Sequence, residues 1–341
     1  RELAASALLA SGNELGWRPL ALNPFAALAA LLTCIAPIAM HIGATRLDGR
    51  AQKRLLALVA GFALFSAVIG FLQRTTGALT IYQTEHVGAA LGLFANRNHH
   101  ADLLVAGILL MIALLPHKRS SAQKALATAA IALLVFAVIA TTSRAGIALA
   151  APAAVAALVA IWRPRKGLAR LLVLGAIGAG IGLLFIPAFT DIFARFGVAA
   201  DDQRITMARD SMVATRAMWP FGSGYGSFVP VYMAYENLDM MEARYVVAAH
   251  NDFLQLALEG GLPGVITGCA AVVAMAVMGW NILQSRASAL VWAAWGVALV
   301  LLIHSAVDFP LRTGTLAVIF GLCTGIAQSG IRTLRHHANQ G

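Results

Sequence analysis

The chain has 341 residues, of which 60% are hydrophobic and only 12% charged, and its mean hydropathy is +0.77. Soluble domains carry about 25% charged and 45–50% apolar residues, so this composition excludes an ordinary soluble fold and indicates a polytopic membrane protein. The net charge of +10 would suggest nucleic acid in a soluble protein; here it asks which side of a bilayer holds the cations, and no nucleic-acid partner is expected.

A helix needs about 20 apolar residues to cross a bilayer. Apolar stretches run over roughly 20–45, 54–73, 101–116, 122–141, 145–162, 168–188, 252–281, 288–307 and 313–330. They predict an all-α polytopic transmembrane bundle of about nine spans, the third short and the seventh long. Only Thr141-Thr142-Ser143-Arg144 separates the fourth and fifth spans, which predicts a tight helical hairpin. The chain divides into N-terminal helices (1–90), central helices (91–188), a long polar loop (189–249) and C-terminal helices (250–341). It begins at Arg1 with neither Met nor a signal sequence, and earlier helices are expected to precede it. Cys34, Cys269 and Cys323 lie in apolar stretches without paired spacing. Neither a disulfide framework nor a zinc site is expected from them.

Basic residues in short loops mark the cytoplasmic side. One set of alternate loops holds Arg46, Arg50, Lys53, Arg54, Lys118, Arg119, Lys124, Arg163, Arg165, Lys166, Arg170, Arg286, Arg332 and Arg335, against a single acid, Asp48. That side is read as cytoplasmic. The opposite side keeps eleven basic residues, every one an arginine, and fourteen acids. Ionisable groups at membrane depth are costly, so these outer residues are functional candidates by default.

Arg144 opens an otherwise apolar span beside small residues. It either snorkels to the interface or forms part of an anion site. The long loop carries Arg195, Arg204, Arg209, Arg216 and Arg244. Over 203–217, arginines alternate with Ile205, Met207, Met212 and Val213, the pattern of an amphipathic helix at the interface. Simple attraction to anionic headgroups explains Arg209 and Arg216 equally well. Trp219 to Phe228 is glycine-rich, but no strand precedes it, so a nucleotide loop is a poor match. An elbow re-entering the membrane edge suits it better.

His250-Asn251-Asp252 opens the seventh span. Asn251 or Asp252 suits the helix N-cap, and a neutral His250 just outside it is a competent general base. Glu259 lies two turns beyond Asp252 on one face, and a buried carboxylate there needs a partner such as arginine. His99, His100 and Asp102 have no metal-ligand spacing of the helix-face kind, so no metal or other cofactor is expected. His304 and Asp308, four residues apart, are expected to pair on one helical face. The outer face therefore offers arginines, whose forks match phosphate oxygens, one exposed histidine and a few carboxylates. A lipid-linked phosphate or diphosphate fits that set. A transporter or flippase of anionic lipid-linked substrates is the more distant alternative, but the charges gather at one surface and no internal repeat is evident.

These residues carry a resemblance. His250 to Gly264, in the run His-Asn-Asp-Phe-Leu-Gln-Leu-Ala-Leu-Glu-Gly-Gly-Leu-Pro-Gly, resembles the signature of the O-antigen ligase and polymerase superfamily. Thr-Ser-Arg-Ala-Gly (142–146), the Arg204 segment leading to 220–228, Phe-Ala-Asn-Arg-Asn-His (94–99, with Arg97) and His-Ser-Ala-Val-Asp-Phe (304–309) are similar to the same family, in order. The resemblance implies a C-type (GT-C-like) membrane glycosyltransferase in the bacterial inner membrane. It would use an undecaprenyl-diphosphate-linked glycan donor at the periplasmic face. The acceptor hydroxyl would belong to lipid A core, to a growing glycan (a polymerase) or to protein (an O-oligosaccharyltransferase). By motif position, His250 corresponds to the base and Arg144 and Arg204 to the diphosphate ligands, with Arg209 and Arg216 competing for the second place. Asn251, Asp252, Glu259, Arg97 and Asp308 are expected in support, with inversion at the anomeric carbon and no metal.

Overall fold

The computed structural model describes residues 21–82, 88–115, 119–163, 199–237, 246–285 and 287–338, with residue 10 and a few positions between 167 and 178. These form α1 (Pro24–Thr33), α2 (Ile35–Arg46), α3 (Gly49–Thr76), α4 (Arg97–Leu114), α5 (Ser121–Ala140), α6 (Arg144–Trp162), α7 (Ala199–Met218), α8 (Phe228–Tyr235), α9 (Asp252–Gln284), α10 (Ala289–His304) and α11 (Gly314–Ala338), with a 3₁₀ turn at Pro310–Arg312. No strand occurs among the described residues.

Helix starts follow the capping chemistry of the sequence. Asp48, Ser120, Ser143, Asn251 and Ser288 each accept a backbone N–H of the first turn, satisfying groups that apolar surroundings would leave bare. Ser120 and Gln123 close a full capping box. The α5–α6 hairpin forms as expected, turning through residues 141–143.

Six helical stretches among the described residues are long and apolar enough to cross a membrane: Pro24–Arg46, Gly49–Thr76, Ser121–Ala140, Arg144–Trp162, Asp252–Gln284 and Gly314–Thr333. The expected count of nine is not reproduced. The segment expected over 168–188 falls mostly outside the described residues. α10 is apolar but only 16 residues long. α4 begins with the polar run Arg97 to His100, and almost every residue from Asn98 to Ala113 is buried. A helix buried on all sides has protein neighbours rather than lipid. α4 is the central post of the bundle, packed against α3, α5, α6 and α10.

The outer helices bury one stripe each and leave Leu58, Phe65, Leu126, Phe136, Ile266 and Trp280 exposed, as a lipid-facing surface requires. α2 crosses α11 closely, because Gly321 and Gly325 present bare backbone to Pro37 and His41. This spacing of small residues lets membrane helices approach. His41 adds hydrogen bonds to Thr324 and Gln328 at 2.9 Å.

α9 is broken. Gly261 has φ 56° and ψ −141°, a conformation essentially restricted to glycine. The break frees the carbonyls of Leu258 and Glu259, and Ser223 and Gly224 of the glycine-rich segment donate to them at 3.0 and 2.8 Å. The elbow expected at 219–228 is thus docked on a broken helix, and Leu22, just before α1, donates to Ser223 on its far side at 3.0 Å.

Candidate active site

The starts of α4, α6 and α9 and the turn after α10 meet at one end of the bundle, and α7 lies against α9 there. His250 precedes the Asn251 cap, whose Oδ1 accepts Leu254 N–H at 3.0 Å. His250 has φ 47°, a left-handed conformation that costs a non-glycine residue roughly 1–2 kcal/mol. Its surroundings hold it there. Ala249 N–H donates to Gln255 Oε1 at 3.1 Å, and the His250 ring meets Phe309 edge-on at 4.9 Å. Its Nδ1 lies 3.1 Å from Asp308 Oδ1.

Asp308 is fully buried. Besides His250, it accepts from Phe309 N–H at 3.0 Å and, through Oδ2, from the Asn98 amide. Burial pushes its carboxyl up. The His250 hydrogen bond and charge, then Arg204 and His304, more than reverse this and hold it well below the usual carboxylate range. Asp308 is therefore a carboxylate, and the His250 nitrogen facing it is the N–H donor. Nε2 is left as the basic nitrogen.

The expected His304–Asp308 pair does not form. α10 ends at His304, and the chain turns before Asp308. The two residues share only a backbone hydrogen bond, Asp308 N–H to His304 C=O at 2.9 Å. His304 pairs instead with buried Asp102 at 2.5 Å. The residues considered for metal diverge in the same way. His99 hydrogen-bonds Thr313, His100 donates toward the Ala90 carbonyl and Asp102 takes His304.

Three arginines gather near one another, two of them, Arg97 and Arg204, near Asp308. Arg144 is the first residue of α6 and half-buried. Arg204 shares a face of α7 with buried Met207, Ser211 and Ala214, and this face packs on Phe228, Ala249 and Leu258. Arg97, the first residue of α4, donates from Nη1 to Thr142 Oγ1 at 2.9 Å. The charges of Arg204 and Arg144 act on Arg97, as does that of Asp308. Arg209 and Arg216 are exposed on the outward face of α7 and are not brought to this cluster. Arg195 and Arg244 lie outside the described residues.

A second polar cluster supports the first. Arg312 Nε lies 3.3 Å from Asp252 Oδ1, and its Nη1 lies 2.9 Å from Glu259 Oε2. The partner that Glu259 needed is thus Arg312. Glu259 Oε1 accepts from the backbone N–H groups of Gly226 and Phe228 at 3.1 Å, which fixes the elbow. Asp252 Oδ2 accepts from Ser305 Oγ at 2.9 Å. From sequence alone Glu259 needs an arginine whose position stays open. The signal was available, since Arg312 closes the run that begins at His304. Asn98 and Phe309, which flank Asp308 and His250, were visible only as parts of motifs.

Residues 128–269 match the family model described as O-antigen ligase. This segment, less than half of the chain, is similar to that family. The match runs from α5 into α9 and takes in Arg144, Arg204 and His250, while Arg97, Asp308 and Arg312 lie beyond its limits. Similarity to that family supports, in general terms, a multi-pass membrane enzyme of the glycosyltransferase or ligase type that uses a lipid-linked glycan and an acceptor. No curated protein matches the chain.

Proposed function

We propose that the protein transfers a glycan from an undecaprenyl-diphosphate-linked donor to a hydroxyl acceptor at the periplasmic face of the bacterial inner membrane. One observation carries this reading: Arg204 and Arg97 lie near the buried Asp308 that holds His250, and Arg144 lies near Arg97. The acceptor oxygen attacks the anomeric carbon as the bond from that carbon to the diphosphate oxygen breaks. His250 Nε2 takes the acceptor proton. Asp308 offsets the imidazolium that forms and keeps the ring in place. The arginines stabilise charge growing on the departing lipid diphosphate, where preorganised donors contribute most. A single displacement inverts the anomeric configuration. The reading gives no step to a metal ion. A ligase would use lipid A core as acceptor, a polymerase a growing glycan, and an O-oligosaccharyltransferase a protein hydroxyl.

The test is a transfer assay with purified protein, a lipid-diphosphate-linked glycan and each acceptor class. His250→Ala and Arg144→Ala should each lower turnover by about 10²-fold or more. Near-normal transfer by both folded variants would sink the assignment. Flux of the donor across sealed liposomes without any transfer would favour a transporter instead.

A further inference from the structure

We propose that Arg97 is a third direct ligand of the donor diphosphate, completing a cradle with Arg144 and Arg204 at the paired starts of α4 and α6. This inference rests on the function proposed above and adds a binding residue from outside the matched segment. It begins with packing. Gly146 in the first turn of α6 sits against Ala101 in the first turn of α4, so closely that a Cβ at 146 would lie 2.5 Å from the Ala101 side chain. That contact sets the two helix N-termini side by side, each with its own arginine as first residue. Helix N-termini carry partial positive charge and free N–H groups, which favour anions.

The bonding of Arg97 leaves it ready for such an anion. Nη1 reaches Thr142, two residues before Arg144, while Nε is buried and has no hydrogen-bond partner among the described residues. Asp308 does not occupy it as a dedicated counter-ion. Its Oδ2 accepts from Asn98 and its Oδ1 from His250 and Phe309. Arg97 thus lies under the charges of Arg204 and Arg144 with one already engaged carboxylate, Asp308, beside it. Such a gathering of like charge is stabilised by an anion carrying more than one negative charge. A diphosphate has the charge and the spread of oxygens to meet three forks.

The competing role is mechanical, with Arg97 merely bracing the α5–α6 turn through Thr142. Titration of the protein in detergent with inorganic pyrophosphate and orthophosphate separates the two. The wild type should bind pyrophosphate more tightly than orthophosphate. Arg97→Gln should weaken pyrophosphate about tenfold or more and narrow that preference. Arg97→Lys, which keeps the charge but loses the fork, should fall between them, and it serves as the test if the glutamine variant does not fold. Thr142→Val, which removes only the brace, should bind within about twofold of wild type. Wild-type affinity in Arg97→Gln, or an equal loss in Thr142→Val, overturns the proposal while leaving the general function standing. A wild type that binds neither anion overturns both.

Discussion

Asp308 and His250 are 58 positions apart in sequence, yet Asp308 Oδ1 lies 3.1 Å from His250 Nδ1. The carboxylate is fully buried and the imidazole is about one-quarter exposed. One partner is therefore fixed in the protein interior and the other is partly accessible. Asn98 and the Phe309 N–H bind the same carboxylate, so its orientation does not depend on His250.

Asp308→Asn should keep much of this shape but lose the charge that selects the imidazole tautomer. An amide opposite Nδ1 can donate to it, which turns the ring's N–H toward the acceptor. Turnover should drop by about 10²-fold or more, with donor binding altered far less because the arginines remain. A transfer assay with separate kcat and KM checks this. Unchanged kcat would remove Asp308 from the mechanism.

The same residue predicts a pH signature. Its folded carboxyl is held below the ordinary range by His250, Arg204 and His304, against the opposing effect of burial. A depressed folded value stabilises the protein above the unfolded value, near 4. That stability is lost as pH falls below about 4 toward the folded value. Thermal unfolding in detergent between about pH 5 and pH 3 should show steeper acid destabilisation in the wild type than in Asp308→Asn. Parallel slopes would contradict the assignment.

The helices were largely legible in the sequence, and the polar pairings were not. Apolar length and capping residues define α3, α5 and α6 with little help from tertiary structure, because bilayer thickness and backbone satisfaction act locally. α4 read as a span like the others, since apolar composition does not distinguish a helix facing lipid from one facing protein. His304 and Asp308 show the other limit. Their spacing suits a helical pair, but the helix stops between them, and each finds a partner from a distant segment. Choosing among Arg204, Arg209 and Arg216 likewise needed to know which face of α7 meets α9. The glutamate that required an arginine was correctly identified; that the arginine was Arg312 depended on the turn after α10.

Arg312 bridges Asp252 and fully buried Glu259. Removing one partner of a buried ion pair leaves an uncompensated charge and typically costs about 3–5 kcal/mol. Arg312 is itself 30% exposed, so Arg312→Ala should fall at the low end of that range. Combining it with Glu259→Gln should recover part of the loss, because the stranded charge goes too. A double-mutant cycle on detergent unfolding measures this. Strict additivity would show that the pair does not couple.

Gly261 makes a different prediction. Its φ of 56° with ψ −141° excludes side chains, and an added Cβ would lie 2.2 Å from the Pro220 carbonyl oxygen. Gly261→Ala should therefore undo the docking of the elbow on α9, at a cost of about 1–3 kcal/mol from backbone strain alone. Cleavage within 219–227 by a soluble protease should accelerate relative to wild type. Protection equal to wild type would mean that the break in α9 tolerates a side chain.

Strain at His250 gives the last prediction, one that separates fold from chemistry. His250 adopts φ 47° immediately before its helix cap. Glycine takes that conformation without penalty, whereas alanine does not. His250→Gly and His250→Ala both delete the ring and its bond to Asp308, so their difference isolates the backbone. The glycine variant should be more stable by about 1–2 kcal/mol, and both should be equally poor in glycan transfer. If alanine proves as stable as glycine, the left-handed conformation is not retained once the imidazole is gone. The bond to Asp308 would then be what imposes it.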